Sequence, residues 1–324
     1  MGRAQSTPKT VVAVSGDGIH RILQKNGLDP KKYYREFIRL NKKKLGPKNG
    51  LYIGSTYILP KKDGAEDSST ADVKPSAPKS LTEPLFGKKH EEVKLEDESL
   101  KGAVYYLISG HGGPDPGAVV KKEGKLVSED EYAYDVNLRL ARKLMARGAT
   151  VYIIIRDPDD GIRDQRLLEV DYDEVNYPKK KIPINHVLRL KQRTDAVNKL
   201  FKQHGRGYQR LVVTHVDSRS VGEKIDVFFY HHKRSRKGKR LANALQNTFK
   251  QKYARYQPNR KYTGTVASRS GLYVIRNTLP AMVYIELGNL KNSVDQKRIL
   301  NYNNREALSK WIFEGLVADY NQSK

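Results

Sequence analysis

The 324-residue chain has no cysteine, one tryptophan and no long apolar run. Without cysteine there can be no disulfide framework, thiolate ligand or thiol nucleophile, so any chemistry must rest on nitrogen and oxygen. No stretch approaches the roughly 20 apolar residues of a membrane helix, so no transmembrane segment is expected. Met1 to Lys9 has no signal-peptide core, and export is expected to use a signal removed beforehand. Acid is scarce as well: 36 Asp and Glu against 61 Lys and Arg leave a net charge of +25. Such a charge suits an anionic partner. The basic residues are nevertheless dispersed and no nucleic-acid motif is present, so nucleic acid is not the expected one.

The chain reads as three segments. Residues 61–100 are rich in Pro, Ser, Lys, Asp and Glu without aliphatic periodicity, and read as a flexible linker. Before it, residues 9–60 give a strand at Val11 to Val14, helical patterns at Ile19, Ile22, Leu23 and at Tyr34, Phe37, Ile38, and a closing strand at Leu51 to Leu59. After it, residues 101–324 alternate strand and helix: strands at Ala103, Val151, Leu211, Ile225, Leu272 and Ala281, with helices at 129–147, 188–201, 239–253 and through Trp311. That alternation predicts an α/β fold, a twisted mixed sheet with helices on both faces. A long polar segment, 157–185, interrupts it.

The apolar run Ala103 to Ile108 is followed by Ser109-Gly110-His111-Gly112-Gly113-Pro114-Asp115-Pro116-Gly117-Ala118, which places a histidine in a glycine-rich loop at a strand end, where α/β folds build sites. The loop lacks the Lys-Ser/Thr of a P-loop. Three further positions can join His111: an acid in Ser128-Glu129-Asp130-Glu131 at a helix start, His215 closing Leu211 to Thr214, and Glu286 after Ala281 to Ile285. Two histidines and a carboxylate are a common set for a catalytic zinc that keeps a position for water.

These residues resemble the zinc-dependent N-acetylmuramoyl-L-alanine amidases of the type-3 class, from about Ala103 to Tyr320. The resemblance lies in the Gly110 to Ala118 loop, Glu129, Thr214-His215-Val216-Asp217 and Pro280-Ala281-Met282-Val283-Tyr284-Ile285-Glu286-Leu287-Gly288. It implies one zinc ion held by His111, Glu129 and His215, with Glu286 as the catalytic carboxylate and the amide between N-acetylmuramic acid and L-alanine as the bond cut. Arg193 and Asn198 match the family's Arg-x-x-x-Ala-Asn helix, with Val197 in place of alanine. Thr214, Asp217 and Asn289 depart from the family's serine, asparagine and phenylalanine without removing a ligand. Arg193, Asn198, Asp217 and His232 are the expected substrate contacts. Residues 9–60 resemble a LysM module, a small α+β binder of N-acetylglucosamine-containing glycans, through Gly16-Asp17-Gly18-Ile19, Leu40-Asn41 and the closing Ile58-Leu59-Pro60.

Helix geometry separates the two glutamates. At about 100° per residue, Ala133, Val136, Leu140 and Leu144 share one face, and Glu129 falls within about 20° of it, whereas Glu131 lies roughly opposite. The expected partner is peptidoglycan, with other anionic envelope polymers also suited to the charge, in the periplasm or extracellular envelope. Two other readings fit the residues: a zinc carboxypeptidase-like enzyme that cuts within the stem peptide, and a non-catalytic wall-binding protein. Oligomeric state is not legible.

Overall fold

The computed structural model describes residues 10–13, 17–52, 55–61, 80–217 and 226–324. They fall into two compact units, Met1–Lys74 and Pro75–Lys324.

In the smaller unit the order is strand, helix, helix, strand: β1 (Thr10–Val12), α1 (Ile19–Lys25), α2 (Pro30–Asn41) and β2 (Thr56–Ile58), with β1 and β2 antiparallel. Pro30 starts α2 where a missing N–H costs nothing, and Asp29 caps it by accepting from the Lys31 N–H. Ile22, Leu23, Phe37 and Tyr57 are fully buried between the layers. Asn41 locks the end of α2 to β2. Its Nδ2 donates to the Phe37 and Ile58 carbonyls, and its Oδ1 accepts from the Ile58 N–H at 2.7 Å.

The larger unit begins earlier than the composition suggested. Residues 80–100 were expected to belong to a linker, yet they form the ladder β3 (Ser80–Thr82) with β4 (Glu92–Lys94), and bury Phe86, Val93 and Leu100 in the main core. Three widely spaced apolar residues leave no local period to read, so the burial shows only in tertiary structure. Of the expected linker, 62–79 lie outside the described residues.

Next come β5 (Val104–Ser109), the hairpin β6 (Val119–Lys122) and β7 (Lys125–Ser128), α3 (Glu129–Met145), β8 (Thr150–Ile153) and β9 (Ile155–Arg156). β10 (Val175–Asn176), β11 (Lys180–Lys181), α4 (His186–His204), β12 (Gln209–Asp217), β13 (Phe228–His231) and α5 (Arg236–Tyr256) follow. The chain ends through β14 (Val266–Ser268), α6 (Tyr273–Asn277), β15 (Ala281–Asn289), α7 (Ser293–Leu300) and α8 (Tyr302–Asn321). The expected strand at Leu272 is therefore the start of α6. A short apolar run does not distinguish strand from helix, and Val274 and Ile275 bury themselves with Val197 and Leu200 of α4.

Six strands form the central sheet in the order β14-β13-β15-β12-β5-β8. β15, β12, β5 and β8 run parallel, while β13 is antiparallel to β15. Alternation along β5 sends Tyr105 and Leu107 to a core shared with α3, α5 and α8, and Tyr106 and Ile108 to one shared with α4 and α6. Both faces are thus covered, and the parallel strands all end at one edge. The segment between β9 and β10 is tied to α3: Arg305 of α8, fully buried, pairs with Asp135 at 2.6 Å and donates to the Arg163 and Gln165 carbonyls.

Candidate metal centre

His111, Glu129 and His215 meet at the edge where β5 and β12 end. Each offers one ligand atom, and the three atoms lie within 4.8 Å of one another. His215 Nδ1 is 2.8 Å from Glu129 Oε1, and His111 Nε2 is 3.3 Å from Glu129 Oε2. Backbone fixes the carboxylate from both sides, since the Val216 N–H donates to Oε1 at 2.9 Å and the Ala118 N–H to Oε2 at 3.1 Å. Glu129 is the first residue of α3, where a helix N-terminus favours negative charge.

Two glycines make the approach possible. A Cβ on Gly110 would collide with the His215 ring. At Gly117 the φ of +70° is left-handed, and a Cβ would sit 2.8 Å from Glu129 Oε2. His111 itself holds φ at 65°, uncommon for a residue with a side chain, and the Arg193 guanidinium donates to its carbonyl at 3.2 Å. The His111 Nδ1 lies 3.1 Å from Asp115 Oδ2, and Arg189 holds that same oxygen at 2.6 Å. The His215 ring stacks on Tyr284 at 4.5 Å.

The electrostatics of the cluster favour a cation. Burial opposes charge on His111, but Asp115 and Glu129 beside it reverse that effect and push its pKa up to about 10. Burial likewise works against an ionised Glu129, yet His111 and His215 hold its carboxyl well below the usual range. Burial lowers the pKa of His215, against the opposing pull of Glu129. Two imidazoles and a carboxylate with converging donor atoms fit zinc.

Glu286 stands beside this cluster. β12 and β15 are parallel with His215 and Glu286 as register partners, so their side chains share a face of the sheet. Both line a cavity of about 670 Å³ with His111, Arg189, Arg193 and Tyr284. Glu286 is nearly buried, at 2% exposure. A buried carboxylate at the wall of a cavity is suited to proton transfer.

The remaining expected residues divide. Arg193 is at the cavity, and burial pulls its pKa down to about 10. Asn198 is not a lining residue: its Nδ2 donates to the Asn277 carbonyl and its Oδ1 accepts from the Leu279 N–H, both at 2.8 Å, so the amide clamps α4 to the loop after α6. His232 is also absent from the lining. Because β13 pairs antiparallel with β15, Phe228 lies opposite Glu286 and the chain runs away from the site, carrying His231 and His232 to the far edge. Asp217 ends β12, and its side chain lies outside what is described. Glu131 is engaged elsewhere, 2.6 Å from Arg163 and accepting from the Asp171 N–H. Sequence reasoning assigned no part to Asp115, Arg189 or Tyr284. Asp115 stood in the quoted glycine loop, and Arg189 lies one turn before Arg193 on the same helix, so both were available as signals.

Residues 106–318 match the protein family described as N-acetylmuramoyl-L-alanine amidase. The chain belongs to that family. Among solved structures it is similar to the CwlD amidase from Clostridioides difficile, solved in complex with the GerS lipoprotein, with TM-score 0.50 and 20% identity over 68% of this chain and 99% of that one. It is also similar to the N-acetylmuramoyl-L-alanine amidase from Clostridium difficile 630, at TM-score 0.48 and 20% identity over 69% of this chain and all of that one. The catalytic domain of CwlV from Bacillus (Paenibacillus) polymyxa var. colistinus gives TM-score 0.47 and 20% identity over 68% and 99%. Comparison with curated proteins gives no match. The amidase family fits the mixed α/β sheet, and peptidoglycan hydrolysis is the activity of this class. Among the described residues, no helix is long and apolar enough to cross a membrane.

Proposed function

We propose that this amidase uses one zinc ion, held by His111, Glu129 and His215, to hydrolyse the amide joining N-acetylmuramic acid to L-alanine. The observation that carries the reading is the convergence of these three donors within 4.8 Å at the wall of the cavity that Glu286 also lines. Bound there, zinc supplies Lewis-acid polarisation of the carbonyl and a water acidified to near neutrality. Glu286 accepts the proton of the attacking water and delivers it to the departing amine, which leaves poorly unless protonated. Asp115, held by Arg189, orients His111 through Nδ1 so that Nε2 faces the ligand position. Arg193 braces the loop through the His111 carbonyl and supplies a cation for stem-peptide carboxylates, with Asp217 at the end of β12 as a second polar group.

The smaller unit is proposed as a LysM-like glycan anchor. Its support is the strand-helix-helix-strand order and the Asn41 bridge, which gives the Leu40-Asn41 pair a structural role. The place of action is the periplasm or extracellular cell envelope, and the charge of +25 suits its anionic polymers.

A sacculus digest analysed by mass spectrometry tests the bond and the metal together. Free L-alanine amino ends should appear, vanish on chelation and return with zinc. Cuts confined to the stem peptide would select the carboxypeptidase-like reading, and cleavage by verified metal-free protein would reject zinc. Removing residues before Ser80 should weaken retention on insoluble peptidoglycan more than cleavage of a small soluble muropeptide, because the unit would act through effective concentration.

A further inference from the structure

The segment between β9 and β10 carries a second, different cluster. Asp157, Asp159, Asp171 and Asp173 each place a carboxylate oxygen within 4.8 Å of the others. β9 and β10 are an antiparallel pair with Arg156 opposite Val175, so Asp157 and Asp173 stand at the two sides of the neck of one loop. In a chain of net charge +25 this gathering of like charge is conspicuous. Among the described residues, no Lys or Arg side chain pairs with any of the four; the nearby Arg163 is committed to Glu131 and Asp160.

Acidity alone would be a solvated surface. Asp157 is not surface: it is 1% exposed, its Oδ1 accepts the Asp159 and Asp160 N–H groups, and its buried Oδ2 has no hydrogen-bond partner. The Asp171 Oδ1 is likewise buried and unpartnered. An ionised oxygen shut away from water without a partner is costly, and close like charges add to the cost.

We propose that these four aspartates form a calcium site that fastens the neck of the 157–174 loop. The donors are all hard carboxylate oxygens, which suit calcium and not the nitrogen-rich preference of zinc. Asp159 and Asp173 are exposed, so water can complete the six to eight oxygens that calcium takes. Magnesium, smaller and strictly octahedral, is served less well by four carboxylates on a loop. The site lies one residue from a contact with the metal centre's loop, since Glu174 accepts from the Gly113 N–H at 2.6 Å. Calcium would thus steady the wall behind His111 without touching the catalytic donors. Neither the zinc assignment nor the amide specificity is needed for this inference.

Calorimetric titration of the full zinc-replete chain with calcium chloride is the test, paired with melting curves. One equivalent should bind, and at about a hundred times Kd the Tm of the larger unit should rise by roughly 5 °C or more. Asp159→Asn with Asp173→Asn, both at exposed positions that leave the core intact, should weaken binding at least tenfold and remove the Tm shift while zinc content stays unchanged. Asp157→Asn should do the same if it folds. No saturable binding up to about 10 mM, or binding unaltered in the exposed pair, would overturn the site. An equal response to magnesium chloride would overturn its assignment to calcium.

Discussion

The first turn of α3 holds two buried glutamates, Glu129 and Glu131, that face opposite sides and meet opposite chemistry. Glu129 points toward the sheet edge and meets two imidazoles; Glu131 points toward the 157–185 segment and meets a guanidinium. Arginine keeps its charge throughout the accessible pH range and cannot act as a ligand, so the Glu131–Arg163 pair is closed to exchange. Imidazoles can give up a proton and take a metal instead. One helix turn therefore sets a carboxylate held by a guanidinium beside one held by imidazoles, and the two sets of partners differ in their capacity to be replaced.

Reversing the roles of these two residues is the strongest test of that contrast. Glu129→Ala should lose bound zinc and, with it, all measurable hydrolysis, while its melting curve stays cooperative. Glu131→Ala should keep zinc and lose about 1–3 kcal/mol of stability, because Arg163 is left with Asp160 as its one carboxylate and the Asp171 N–H loses its acceptor. Metal analysis alongside calorimetry reads both. Zinc kept by the first variant and lost by the second would invert the assignment.

A smaller effect separates ligand from proton carrier on the sheet-edge side. Glu286→Gln retains shape and should retain zinc, yet lose turnover by at least about a hundredfold, the usual scale of general acid–base catalysis. Loss of zinc from a folded Glu286→Gln protein would make Glu286 a ligand and dissolve the distinction between it and Glu129.

Much of the sheet-edge side was legible in the sequence, and for a physical reason. Parallel strands buried on both faces read as apolar runs, and their common C-terminal edge gathers whatever polar residue follows each run, as with His111, His215 and Glu286. Helical periodicity then placed Glu129 on the same side. The structure departs from that pattern where direction or packing is set only by tertiary structure. His232 also follows an apolar run, but β13 runs antiparallel, which no local pattern reveals. Asn198 sits in a motif-like helix, yet both ends of its amide serve the loop after α6. The insertion side was almost illegible. Its polar residues carry no period, and Glu131 finds Arg163, and Asp135 finds Arg305, in distant stretches of chain.

The least effect on chemistry is expected from the residues that underpin the insertion side from outside it. The Phe86 carbonyl accepts from the Ile162 N–H at 3.1 Å, and a Cβ on Gly161 would stand 2.7 Å from the Gly87 backbone, so the two stretches touch main chain to main chain. Lys89 adds an exposed pair with Asp164 at 2.6 Å, worth little by itself. The weight falls on the Phe86 ring, which is fully buried in the main core. Phe86→Ala should therefore cost about 3–5 kcal/mol of stability, the usual range for such a cavity. The His111, Glu129 and His215 donors hold one another through β5, β12 and the start of α3, with no bond to residues 80–100. Zinc content and turnover measured well below the melting temperature should then change by less than about twofold, since the lost packing acts on stability and not on the site. If turnover instead fell in step with stability under those conditions, the two sides of α3 would be one cooperative structure, and the contrast between Glu129 and Glu131 would be of partners alone.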